Sequence, residues 1–257
     1  MVIDEIRKLD CDIICLQEVD NYKNFYQKEL NALGYETVFF ERPTKSDGCL
    51  TGYKRDRFFL QPHSTILIDY NSVASKLLDP QEKKKHTSNN IGVLMILEPL
   101  CEEGPPILIS NTHLYWNPKH PSVREKQLIY LLYHSSKLLD KCKSNGREPA
   151  FLVCGDLNTN RDSKAYKYLV GSTEETHKRW KHQLSLSDAY EQLELPFTMY
   201  FEAVKMVSDY IFHSNDLLQC EAVLEVEESE QMYPNASHPS DHVPLSAIFS
   251  FKRNEEK

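Results

Sequence analysis

The chain lacks any apolar run approaching the ~18–20 residues that a membrane-crossing helix needs, and no membrane partner is expected. Its opening, Met1-Val2-Ile3-Asp4-Glu5-Ile6-Arg7, lacks the basic-then-apolar order of a signal peptide. A disulfide framework is missing as well: the seven cysteines are an odd number without regular spacing. Cys11, Cys15 and Cys154 lie inside apolar runs and read as small core residues of a reducing compartment. Cys11 and Cys15 are four apart, but no second Cys/His pair stands at zinc spacing, so no structural zinc is expected. Repeats, low-complexity blocks and linkers are absent, and residues 1–257 read as one domain. Excess positive charge is absent too. With 30 Lys+Arg against 38 Asp+Glu the net charge is −8, which argues against coating nucleic acid by bulk charge. It leaves room for an enzyme with a local basic lip around a metal, because a bound cation inverts the local field.

What is present is an ample core, 40% hydrophobic residues beside 26% charged, and many strands. Residues 2–9 have helical spacing. Residues 12–19 form a continuous apolar run ending in an acid, the pattern of a fully buried strand. Residues 24–33 predict a helix stopped by Gly34. Strands are expected at 37–41, after the turn at 47–53, at 57–60 and 64–68, at 91–97 and 107–112, at 150–154, and at 209–213, 219–226 and 245–251. Residues 78–90, polar and basic around Lys83-Lys84-Lys85-His86, read as an exposed loop. Residues 122–142 and 163–169 read as helices. Strict β-α-β alternation is missing, so two packed mixed sheets with helices outside fit best.

The chemistry sits at strand ends. Gln17-Glu18, Asn111-Thr112-His113, Gly155-Asp156-Leu157-Asn158 and Ser208-Asp209 each terminate an apolar run, and Asp241-His242 lies between Pro239 and Pro244 just before another. An unpaired carboxylate in an interior costs several kcal/mol, so five such ends point to a shared centre. A hard divalent cation is the natural one, with Mg²⁺ or Mn²⁺ suited to one or two carboxylates and a substrate phosphate. Singly each has an ordinary reading: Glu18 a surface acid, the Gly155–Asn158 stretch a turn, His113 a structural histidine. Tyr115 and Trp116 could stack a base or simply pack, and the Lys83–His86 run could contact an RNA backbone or be solvated. His63, His86, His120, His134, His177, His182, His213 and His238 read as surface or structural.

Taken in order, Leu16-Gln17-Glu18-Val19, Asn111-Thr112-His113-Leu114, Cys154-Gly155-Asp156-Leu157-Asn158, Ser208-Asp209-Tyr210-Ile211-Phe212 and Pro239-Ser240-Asp241-His242-Val243-Pro244 resemble the endonuclease/exonuclease/phosphatase superfamily over residues 5–251. Asp47-Gly48-Cys49 and the run from Asn111 to Pro118 resemble its deadenylase branch: the carbon-catabolite-repression deadenylases, nocturnin and the Angel proteins. The resemblance implies a deoxyribonuclease I-like α+β fold, a four-layer α/β-sandwich. It implies a Mg²⁺-dependent 3′→5′ exoribonuclease releasing AMP, or an Angel-type RNA 2′,3′-cyclic phosphatase; a dinucleotide phosphatase is a lesser alternative, and an inactive scaffold is the non-enzymatic one. It implies Glu18 as metal ligand, Asp156 as the acid that positions or deprotonates water, and Asn158, two residues further along an extended segment, on the phosphoryl oxygens. It implies His113 on the phosphate, His242 oriented by Asp209, Asp241 at a second metal, Asp47 near the terminal base, and Asn117 and Pro118 flanking the nucleotide. The expected partner is the 3′ end of single-stranded RNA, poly(A) above all, met by a cytoplasmic or nuclear monomer without leucine-rich repeats.

Two departures stand out. The family's opening strand, which carries an Asn at the metal, is not represented ahead of the first helix. The expectation is therefore an N-terminally shortened domain with weakened Mg²⁺ binding and low activity. Around Phe197-Thr198-Met199-Tyr200-Phe201 many deadenylases are more polar and bear an Asn on the scissile phosphate, for which Thr198 or Tyr200 is a poor substitute.

Overall fold

Alternation along the central strands sends side chains into two separate cores. Leu94 and Ile96 enter one and Met95 and Leu97 the other; Leu108 opposes Ile107 and Ile109; Phe151 and Val153 oppose Ala150 and Leu152. A strand with both faces buried has no polar side to show, which is why these segments read as continuous apolar runs. The computed structural model describes residues 1–77, 80–100, 104–171 and 184–252. His177 and His182 lie outside the described residues.

The order is α1 (Val2–Leu9), β1 (Ile13–Val19), a π-helical turn (Tyr22–Tyr26), α2 (Gln27–Ala32), β2 (Tyr35–Glu41), β3 (Gly48–Lys54), β4 (Phe58–Leu60), β5 (Ile66–Asp69), α3 (Asn71–Leu77), α4 (Pro80–His86), β6 (Ile91–Pro99), β7 (Ile107–His113), α5 (Pro121–Ser144), β8 (Ala150–Asp156), α6 (Lys164–Leu169), β9 (Ser187–Asp188), β10 (Met199–Phe201), β11 (Val204–Met206), β12 (Asp209–His213), β13 (Leu218–Val223) and β14 (Ala247–Phe251). The larger sheet runs β4-β6-β7-β8-β12-β9, with β5 also on β6. It is mixed: β7 and β8 are parallel and the other pairs antiparallel. The smaller sheet, β1-β3-β2, is antiparallel throughout, so only one of the two sheets is mixed. Hairpins β10-β11 and β13-β14 complete the strands.

Four layers follow from the cores. Helices α5 and α6 cover the outer face of the larger sheet through Leu128, Leu131, Leu132 and Leu169. Between the sheets, Met95, Leu97, Ile109 and Leu152 meet Ile13, Cys15, Val38 and Tyr53. On the far side Ile3 and Ile6 of α1, spaced i, i+3, pack with Ile14, Leu30 and Leu50. This is the α+β sandwich with helices outside. Residues 80–86 differ from the expected loop by forming α4. Its one buried side chain is His86, so no apolar stripe announces it. No helix among the described residues is long and apolar enough to cross a membrane.

Candidate active site

Polar side chains gather where β1, β7 and β8 end and antiparallel β12 begins. Asn111, fully buried on β7, ties the two sheets together there. Its Nδ2 donates to the Leu50 carbonyl at 2.9 Å and the Leu16 carbonyl at 3.2 Å, and its Oδ1 accepts from Gln17 Nε2 at 2.8 Å. Just beyond, the β1–β3 register shifts between Leu16 and Val19, and Glu18 takes φ 53°. Such a bulge turns a side chain out of the strand's alternation. Glu18 is accordingly 65% exposed in its side chain, with Oε1 at 4.0 Å from His113 Nδ1.

Gly155 sets the depth of Asp156. A Cβ at position 155 would stand 1.9 Å from the Thr112 carbonyl oxygen, so only glycine lets β8 lie this close to β7. Asp156 is buried beside His113, whose Nε2 is 3.7 Å from its Oδ2. Asn158 is not on an extended segment as expected: it takes the left-handed φ 50°. The chain therefore curls back, and Asn158 N–H and Nδ2 donate to the Asp156 carboxylate at 2.7 and 3.2 Å, while Nδ2 also reaches the Leu114 carbonyl at 3.0 Å.

Asp209 stands directly opposite Asp156 across the β12–β8 pair. Its Oδ2 takes a hydrogen bond from Thr198 Oγ1 at 2.6 Å and Ser208 Oγ at 3.0 Å, and pairs with His242 Nδ1 at 2.8 Å. Thr198 thus steadies the carboxylate behind the histidine, a part the sequence did not disclose. The loop bearing His242 is laced to β10: Tyr200 N–H donates to the Asp241 carbonyl and Val243 N–H to the Thr198 carbonyl.

These neighbours shift one another's protonation. Burial first, then the charge of Asp209, raises Asp156 well above the usual carboxylate range. Burial opposes charging of His242, but the Asp209 hydrogen bond and charge overcome it and lift the imidazole to about 9. Burial and the nearby Arg42 guanidinium press His113 down to about 4. A buried acid facing two more carboxylates is the donor chemistry of a hard divalent cation. Asp156, Asp209 and His242 offer ligand atoms all within 4.8 Å of one another; Glu18 is outside that group, its Oε1 4.0 Å from His113 Nδ1.

The remaining candidates sit further out. Asp241 adjoins His242 but is not part of that cluster. The Asp47 carboxylate is held in an ion pair by Arg42, a side chain that sequence reading passed over. Arg42 also lies 4.0 Å from Glu18 Oε1, and its Nε is buried without a hydrogen-bond partner. Asn117 Oδ1 caps its own turn by accepting from Lys119 N–H, and Pro118 is exposed.

The family model described as Endonuclease/Exonuclease/phosphatase family matches residues 1–242. A Candida albicans protein described as CCR4-Not complex 3′-5′-exoribonuclease subunit Ccr4 is 30% identical over 98% of this chain and 37% of its own length. The chain spans 35% to 57% of the length of three further relatives of that description. Among solved structures, ANGEL2, described as a 2′,3′-cyclic phosphatase in complex with adenosine-2′,3′-vanadate, superposes with TM-score 0.80 at 25% identity, over 96% of this chain and 84% of that one. The human Nocturnin catalytic domain with bound sulfate gives TM-score 0.76 at 27% identity, over 98% and 84%. With the strand-end constellation in place and both sheets matched, the chain belongs to the endonuclease/exonuclease/phosphatase family, in its deadenylase branch.

Proposed function

We propose that this chain is a Mg²⁺-dependent 3′→5′ exoribonuclease of the deadenylase type, acting as a monomer on the 3′ end of single-stranded poly(A) RNA in the cytoplasm and releasing AMP. The observation that carries this reading is the convergence of Asp156, Asp209 and His242, whose ligand atoms lie within 4.8 Å of one another, with His242 Nδ1 on Asp209 at 2.8 Å. Glu18, with Asp156 nearby, would hold the cation, which would neutralise the non-bridging oxygens and the leaving 3′-oxygen.

The chain's own groups divide the rest. Asp156, oriented by the Asn158 N–H and set opposite Asp209, takes a proton from the attacking water. Its geometry is fixed by Asn158, whose amide is committed to Asp156 and Leu114, so Asn158 acts first as a positioning residue. With Nδ1 engaged by Asp209, His242 keeps Nε2 for a phosphoryl oxygen and delivers positive charge where negative charge builds. His113, held neutral, donates a hydrogen bond without adding charge. Arg42 holds Asp47 and supplies a cation beside Glu18.

The likeness to ANGEL2 supports a second reading, hydrolysis of an RNA 2′,3′-cyclic phosphate. Incubation of 5′-labelled oligo(A) with Mg²⁺ separates the two. A ladder shortened one nucleotide at a time, with AMP, is expected; opening or loss of the terminal phosphate alone would favour the phosphatase. Asp156→Ala and His242→Ala should each lower turnover by about 10²–10⁴-fold while RNA binding persists. Equal activity in wild type and Asp156→Ala would leave only a binding scaffold.

A further inference from the structure

The segment leaving the site after His113 is clamped with unusual care for a loop. Leu114 N–H donates to the Asp156 carbonyl. Tyr115 N–H donates to Gln127 Oε1 at 2.9 Å, and Arg124 NH1 donates to the carbonyls of Tyr115 at 3.2 Å and Asn117 at 2.7 Å. Arg124 is buried, so a desolvated guanidinium is spent on holding this turn. Between the two clamped residues, Trp116 is 66% exposed. Its ring lies 6.2 Å from Tyr115, which in turn runs nearly parallel to His120 at 6.4 Å. A rigid backbone presenting an aromatic array to water has no packing purpose, since the Trp116 face is left uncovered.

The array is bordered by positive charge. Gln127, which holds Tyr115, also donates to Ser88 Oγ at 2.8 Å, and Lys126 Nζ lies 3.3 Å from His86 Nε2 at the end of α4. Helix α4 and the first turns of α5 therefore form one surface with the Tyr115–His120 turn. Besides the buried Arg124, residues 80–86 and 117–127 carry five lysines, Lys83, Lys84, Lys85, Lys119 and Lys126, against two carboxylates, Glu82 and Glu125, in a chain whose net charge is −8; Lys85 and Lys126 pair with Glu82. Lys83, Lys84 and Lys119 are exposed and make no salt bridge among the described residues. Exposed aromatics beside a basic stripe are what single-stranded nucleic acid requires, stacking for bases and charge for phosphates.

We infer that Trp116, with Tyr115 and the α4–α5 lysines, forms a second RNA subsite that grips single-stranded nucleotides 5′ of the one being removed. This rests on the exoribonuclease reading, but its test does not require cleavage. Anisotropy of 5′-fluorescein oligo(A), with EDTA in place of Mg²⁺, compares a trinucleotide with a dodecanucleotide. Wild type should bind the longer strand more tightly by about tenfold or more, and Trp116→Ala should remove about tenfold of that gain. The trinucleotide should be held equally by both. Trp116→Phe should restore the gain, and an unchanged thermal midpoint shows that the fold is intact. Lys83→Glu and Lys84→Glu should each lower the slope of log affinity against log salt by about 0.7.

Length-independent binding, no effect of Trp116→Ala, or equal competition by duplex RNA would overturn the subsite. Length-dependent binding without any cleavage would defeat the catalytic reading and leave the subsite standing. Cleavage without length-dependent binding would do the reverse.

Discussion

At the scale of single residues the site works by opposed environments. His242 gains a partner and is lifted to about 9, whereas burial pushes His86 down to about 4. Their contributions to stability have opposite signs. The raised His242 stabilises the metal-free fold fully below its unfolded value near 6.5, and that contribution fades as pH rises through about 9. The depressed His86 gives the converse, with stability lost as pH falls from about 6.5 towards 4, because the unfolded chain binds the proton first. Urea unfolding in EDTA across this range should show a shoulder on each side, roughly 2 kcal/mol for each histidine that contributes, after allowance for solvent. His242→Gln should flatten the alkaline shoulder. His86→Gln should weaken the acid one and leave part of it to His113, which is likewise held near 4. Arg42 and Thr198 were not legible in the sequence for a simple reason. Arg42 stands at a polar turn and Thr198 inside an apolar run, so neither carries a chemical signal of its own, and their partners, Asp47 and Asp209, are fixed only by the fold.

At the scale of elements, close approach of β7 and β8 delivers Asp156. Gly155→Ala would place a methyl against the Thr112 carbonyl oxygen, and the strands must part. The expected cost is about 3 kcal/mol or more, at the upper end for overpacking, or a fall in melting temperature of roughly 6–12 °C. A calorimetric scan of the variant within a degree of wild type would show that β8 has room to yield. Elements buried on both faces, β6, β7 and β8, were plain in the sequence because nothing but a central strand tolerates such runs. Helix α4 was not: its outward lysines mimic a solvated loop and its inward residue is a lone histidine. The turn at Asn158 was half-visible: Gly155–Asn158 had a turn reading and Asn favours the left-handed region, but the family resemblance put Asn158 on an extended segment.

At the scale of the whole molecule, Asn111 is the polar staple between two apolar sheets. Asn111→Ala would leave the Leu16 and Leu50 carbonyls and the Gln17 amide without their shared partner. Each unsatisfied group costs about 1–3 kcal/mol, so a loss of about 3 kcal/mol overall is expected in chemical denaturation. The m-value should not change, because the surface exposed on unfolding is the same. The two-sheet architecture was readable from strand count and the scarcity of intervening helices. Which sheet stays purely antiparallel was not, because pairing partners depend on contacts distant in sequence.

That division of labour bears on when the site can come into being. Glu18 rides on the small sheet, Asp156 and Asp209 on the large one, and His242 on the loop laced to β10. A ribosome must therefore deliver nearly everything from residue 18 to residue 242 before the groups can meet. No nascent or half-docked intermediate brings these groups together, and the constellation exists only once folding is almost finished.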